Sequence, residues 1–157
     1  MEMRAWYDID PGSPLSGTED IRQSAAAVQE LVEAENRKGM PTNRIVLAGF
    51  SQGGVIAFHL GLRSEHRFAG LMALSTYVHD HEHVGNEVSF ASIDTPIFMA
   101  HGIADPMIPI TRAVTSREAL TAPTTRSIGT NTVWDIMSAR KNSSTSRGFW
   151  STYLLEA

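Results

Sequence analysis

The stretch Arg44-Ile45-Val46-Leu47-Ala48-Gly49-Phe50-Ser51-Gln52-Gly53-Gly54-Val55-Ile56-Ala57-Phe58-His59-Leu60-Gly61-Leu62 decides how the chain reads. A short apolar run, residues 44 to 48, leads into Gly49-Phe50-Ser51-Gln52-Gly53-Gly54, and a helix-like stretch follows. Strand, G-x-S-x-G, helix is the order of a nucleophile elbow. A tight turn of this kind pushes a serine hydroxyl out of the sheet and sets a helix N-terminus behind it. Small residues are needed on both sides, because the backbone bends through a strained conformation and packs closely. The amide of Gln52 then points at the place where an acyl oxyanion would form. Ser51 is therefore the candidate nucleophile and the Gln52 backbone amide a candidate oxyanion donor. The bare motif is a common turn sequence, and the flanking strand and helix give it its weight.

Outward from the elbow, strands and helices alternate. Upstream, a helix is expected to start after Thr18, with Glu19 and Asp20 favourable in its first turn. Ile21, Ala25, Val28, Leu31 and Val32 form its apolar stripe, and Gly39 and Pro41 end it. The elbow strand is expected over about 44–48 and the elbow helix over about 52–63. Downstream, Phe68–Ser75 and Pro96–His101 read as two further buried strands, separated by a long polar loop from Thr76 to about Asp94. A helix is expected from about Ile110 to Leu120. Residues 4 to 9 read as a short extended piece, followed by a loop over Asp10-Pro11-Gly12-Ser13-Pro14. Continuous apolar strands alternating with helices imply an α/β fold, three-layered, with a parallel central sheet covered on both faces.

A serine nucleophile on such a sheet needs an acid and then a histidine, in the chain order Ser, Asp, His. His101-Gly102-Ile103-Ala104-Asp105-Pro106 supplies a buried strand, a glycine turn and then an acid, so Asp105 is the expected triad acid. The competing reading of Asp105 is a turn-capping residue before Pro106.

Composition bounds the rest. The 157 residues suit one domain, and 42% apolar and 19% charged residues suit a globular core. The net charge of -4 does not favour a nucleic-acid surface. No apolar run is long enough to span a bilayer, and Met1–Trp6 lacks the apolar region of a signal peptide. With no cysteine, disulfides and thiolate chemistry are excluded. A cytoplasmic protein is the expectation.

The segments 44–54, Leu71–Ser75, Pro96–Gly102 with Asp105-Pro106, and Met3–Ile9 resemble the phospholipase/carboxylesterase group of α/β-hydrolases, which includes the acyl-protein thioesterases. The resemblance runs from about residue 3 to 122, the extent expected of the α/β-hydrolase domain (1–122), and leaves residues 123–157 as an atypical, irregular tail. It implies Ser51 as nucleophile, Gln52 as oxyanion donor and Asp105 as acid. It also implies short- or medium-chain esters or thioesters as small-molecule substrates, with no cofactor.

The departures from the family pattern are equally specific. None of the six histidines follows His101, so no residue matches the family's general base. The family's first strands and its oxyanion loop would precede the Trp6-Tyr7-Asp8-Ile9 segment, so the chain is expected to be truncated at its N-terminus. In an offset reading frame, residues 125–136 can overlap the family's last strand, including the base. A frameshift near residue 122 is therefore expected. Without its histidine a serine triad typically loses on the order of a millionfold in turnover, so the lone chain is expected to be weakly active or inactive. His79, His81 and His83 alternate, and on an extended segment they would face one way, as imidazoles sharing a zinc do; the competing reading is a solvated loop at the rim of the site, and no metal is expected. A sheet short of neighbouring strands would also expose backbone and apolar surface, so association, including with a second copy, is expected.

Overall fold

The structure is a computed structural model that describes residues 5–8, 13, 16–122 and 137–138. Its elements in chain order are α1 (Thr18–Arg37), β1 (Val46–Phe50), α2 (Gln52–Arg63), β2 (Gly70–Leu74), a one-turn α3 (Val84–Glu87), β3 (Ile97–His101), α4 (Ile110–Thr121) and β4 (Met137–Ser138). The strands lie in the order β1-β2-β3-β4, all parallel, with Leu47 beside Leu71 and Leu71 beside Ile97. Each expected strand and helix is present, with ends shifted by a few residues. The elbow strand starts later than expected because Thr42–Arg44 forms a 3₁₀ turn, closed by the Ile45 amide on the Thr42 carbonyl at 3.0 Å. Ala5 to Asp8 carry no strand, and Asp10-Pro11-Gly12 and Pro14 lie outside the described residues. Of the tail, only Met137–Ser138 is described, as a strand that pairs with Ala100 and His101.

Helix α2 is apolar all round because it is buried on two sides. Phe58 and Leu62 pack into the larger core with Leu47, Leu71, Ile97 and Met99. Val55 and Ile56 pack into a smaller core with Ile21 and Ala25 of α1 and with Tyr7 and Tyr77. Helix α1 thus rests on α2. Its N-cap is Gly17 at φ 74, whereas Thr18 is already helical and bonds His79 Nε2 through its hydroxyl at 2.8 Å. Of the expected stripe, Ile21, Ala25 and Val32 are buried, but Leu31 is 67% exposed. At about 100° per residue, Leu31 falls well to the side of the line through the others.

The long polar loop expected from Thr76 to about Asp94 carries only two short helical turns, Val84–Glu87 and Phe90–Ser92, but it is partly buried: Thr76, Tyr77, Val78, His79, Val84, Val88 and Ser92 are covered, whereas His81, Glu82, His83, Phe90 and Asp94 are exposed. Its polar appearance misled because Ser89 and Ser92 spend their hydroxyls on backbone carbonyls of α2, Gly61 and Ser64. Among the described residues the helices pack against one face of the sheet. Leu47, Leu71, Ala73, Ile97 and Met99 point to the helices, whereas Val46 and Phe50, on the other face of β1, are 53% and 67% exposed. The strand alternates like a half-covered one because successive residues point to opposite faces.

The two faces predict opposite responses to mutation. Phe58→Ala should cost about 3–5 kcal/mol of unfolding free energy. Phe50→Lys should change it by less than about 0.5 kcal/mol. Urea denaturation of both variants checks the difference.

Candidate active site

Parallel pairing brings the ends of β1, β2 and β3 to one edge of the sheet. In open α/β sheets, ligands bind at that carboxyl edge. Past the paired ends, the Ser51 amide donates to the Leu74 carbonyl at 2.9 Å and the Ser75 amide to Ala100 at 2.8 Å. Ser51, Ser75 and His101 therefore stand side by side.

Ser51 is the N-cap of α2, at φ 52 and ψ -123. A non-glycine residue held there costs about 1–3 kcal/mol and persists only where its surroundings impose it. Those surroundings are visible. A Cβ at Gly49 would overlap the carbonyl of Gly53, so strand end and helix start approach as only glycine allows. A Cβ at Gly54 would lie 2.7 Å from Cβ and 2.8 Å from Oγ1 of Thr76. At Gly53 the nearest atom would be Trp6 Nε1, 3.6 Å away, so the last glycine of G-x-S-x-G is not sterically required. The essential pair is Gly49 and Gly54.

Gln52 opens α2, so its amide and that of Gly53 have no acceptor within the helix. They form, with the helix dipole, a place for negative charge. The Gln52 side chain has a role that the sequence did not suggest. Its Oε1 accepts from the Trp6 amide at 3.0 Å and its Nε2 donates to the Tyr7 carbonyl at 2.9 Å, pinning the N-terminal segment to the elbow. Tyr7 is further held by a 2.8 Å hydroxyl contact to Tyr77, and burial and that bond push the Tyr7 hydroxyl pKa well up. The Arg112 guanidinium lies 3.5 Å over the Tyr77 ring.

Asp105 sits on the loop after β3. Its Oδ1 accepts from the amides of Ile108 at 3.0 Å and Met107 at 2.9 Å. Those two bonds, with smaller help from the Ser75 hydroxyl and His101, hold its carboxyl below the usual carboxylate range. Asp105 thus caps its own turn, and it stands two strands along the sheet from Ser51, at the same edge. Ser51 and Asp105 are not bonded to each other; Ser75, just past the end of β2, stands on the sheet edge between them.

All six histidines are described, and none is bonded to Ser51. His101 is 3% exposed; its Nε2 meets the Ile108 carbonyl at 2.8 Å and lies 4.0 Å from Asp105 Oδ2. His66 and His81 are exposed. The alternating face expected of His79, His81 and His83 does not form. The segment turns at Asp80 (φ 54), His79 is buried against Thr18, and exposed His83 bonds back to Asp80 at 2.7 Å. Among the described residues no group of three metal-ligating side chains converges. His59, half-buried on α2, has a pKa lowered to about 4 by burial and then by Arg63.

A family model described as phospholipase/carboxylesterase matches residues 1–145, beyond the end of the resemblance at about 122. The acyl-protein thioesterase 1 of Yarrowia lipolytica is 33% identical over 121 residues, covering 75% of this chain and 53% of that protein. The acyl-protein thioesterase 1 of Cryptococcus neoformans is 37% identical over 113 residues, covering 69% of this chain and 48% of that protein. The chain thus spans about half the length of the curated relatives it matches. The solved structure of Zea mays acyl-protein thioesterase 2 superposes with a TM-score of 0.72 at 18% identity, covering 96% of this chain and 71% of that one, and shows the fold alone.

His59 predicts a pH dependence. Its folded pKa, about 4, lies below the unfolded value of about 6.5. The neutral ring is the native form, so its contribution is complete above pH 6.5 and is lost as the pH falls towards 4. Unfolding free energy should fall between those limits, and His59→Leu should flatten that slope in urea titrations at several pH values. Gly49→Ala should lower stability by about 3 kcal/mol or more, since backbone rather than a side-chain tip must move.

Proposed function

The chain belongs to the phospholipase/carboxylesterase family of α/β-hydrolases, and from that membership we propose that it carries the nucleophile and acid of a serine site for carboxylic esters or thioesters. The observation that carries the reading is Ser51 held at φ 52 on the first turn of α2, at the edge that also bears Asp105. Ser51 Oγ would attack the acyl carbon, the carbonyl oxygen would become an oxyanion facing the Gln52 amide, and the alcohol or thiol would leave. The Ser51 proton must pass to a base and be returned to the leaving group. Asp105 would orient and stabilise a histidine in that role.

No histidine of this chain stands in that place. The same geometry therefore supports a second reading: an impaired α/β-hydrolase unit whose serine is positioned but not activated, acting at most as a binding module. The unactivated serine keeps its proton, and its substrates would be small-molecule esters met in the cytoplasm.

The two readings separate by chemical rescue. Imidazole added to the chain should raise p-nitrophenyl butyrate hydrolysis above the rate of Ser51→Ala with the same imidazole. Without imidazole, the lone chain should run on the order of a millionfold below a complete triad. Equal rates for chain and Ser51→Ala at every imidazole concentration would leave only the binding reading.

A further inference from the structure

The carbonyl of Ser51 has more donors than a helix start supplies. The Gly54 and Val55 amides reach it at 3.0 and 3.3 Å, as the first turn of α2 requires. A third donor comes from the segment after β2: Thr76 Oγ1 donates to the same oxygen at 2.7 Å. Thr76 follows the end of β2, is 1% exposed, and lies against Gly54, where a Cβ would collide with it.

The Ser51 carbonyl and the Gln52 N–H belong to one planar trans peptide and point in opposite directions. A group that grips the carbonyl therefore aims the amide. Charge drawn to the carbonyl oxygen by a hydroxyl donor also leaves the N–H a stronger donor, since hydrogen bonds in a chain polarise one another.

We propose that Thr76 is a positioning residue for the oxyanion donor: its hydroxyl, bonded to the Ser51 carbonyl, turns the 51–52 peptide so that the Gln52 amide faces the reacting carbonyl. The role rests on the serine-site reading for its chemical meaning, but the bond and the aim of the amide do not. Thr76 itself touches neither substrate nor the serine hydroxyl. It would act on the transition state, where the oxyanion exists, and not on ground-state binding.

The test uses the full chain with Thr76→Val, which keeps the shape against Gly54 but removes the donor, and Thr76→Ser, which keeps the donor. In ¹⁵N-labelled protein, Thr76→Val should move the Gln52 amide proton upfield and shift the Ser51 carbonyl ¹³C. Thr76→Ser should return both towards wild type. With imidazole present, fluorophosphonate labelling of Ser51 should slow by about tenfold in Thr76→Val, less than the loss of a whole oxyanion donor, and recover in Thr76→Ser. An unmoved Gln52 amide in a folded Thr76→Val protein overturns the proposal, as does a Thr76→Ser that behaves like Thr76→Val, since packing would then be the cause. If wild type is not labelled at all, the serine-site reading falls, and the amide and carbonyl shifts alone decide the role of Thr76.

Discussion

The close approach of α2 to the end of β1 is the contact on which the carboxyl edge depends. The turn at Ser51 can form only because Gly49 has no side chain to meet the Gly53 carbonyl and Gly54 none to meet Thr76. It is then locked by bonds from both sides: Ser51 donates to β2 through its amide and accepts from Thr76 through its carbonyl. Strain at one residue is held by groups from β2 and the segment that follows it, the condition under which such strain persists.

From that contact the rest of the molecule follows in layers. Helix α2, fixed at its start, presents Phe58 and Leu62 to the sheet and Val55 and Ile56 to α1. Gly61 lets it lie close over Leu71. The N-terminal segment is drawn in by the Gln52 side chain, so the residue that would supply the oxyanion amide also ties down Trp6 and Tyr7. The acid loop organises itself independently, through the two amides on Asp105 and the His101 bond to Ile108. The site is thus two locally built halves joined by a strand register, with Ser75 between them. This explains how Ser51 and Asp105 keep their places although none of the six histidines lies between them.

Most element boundaries were legible in the sequence because they depend on local rules. Gly39 and Pro41 end α1, glycines flank the elbow, and the apolar runs mark β2 and β3. The misread segments depend on what lies opposite. Leu31 is apolar, yet it falls to the side of the stripe and faces water. The segment 76–94 is polar by composition yet partly buried, because the Ser92 and Ser89 hydroxyls bond to the carbonyls of Gly61 in α2 and Ser64 at its C-cap. The open face of β1 could not be read either, since an apolar strand has the same sequence whether or not a layer covers it.

By itself, the sequence determined the family of this protein, its parallel α/β class, and the places of Ser51 at a strand-to-helix turn and Asp105 in the loop after β3. These are encoded in contiguous residues whose backbone demands are local. Only the tertiary structure decided that Gly54 and not Gly53 makes room for the elbow, that Thr76 grips the Ser51 carbonyl, and that none of the six histidines meets the serine. Each of those facts is a distance between residues far apart in the chain, and such distances exist only once the strands are in register and α2 is seated on the sheet.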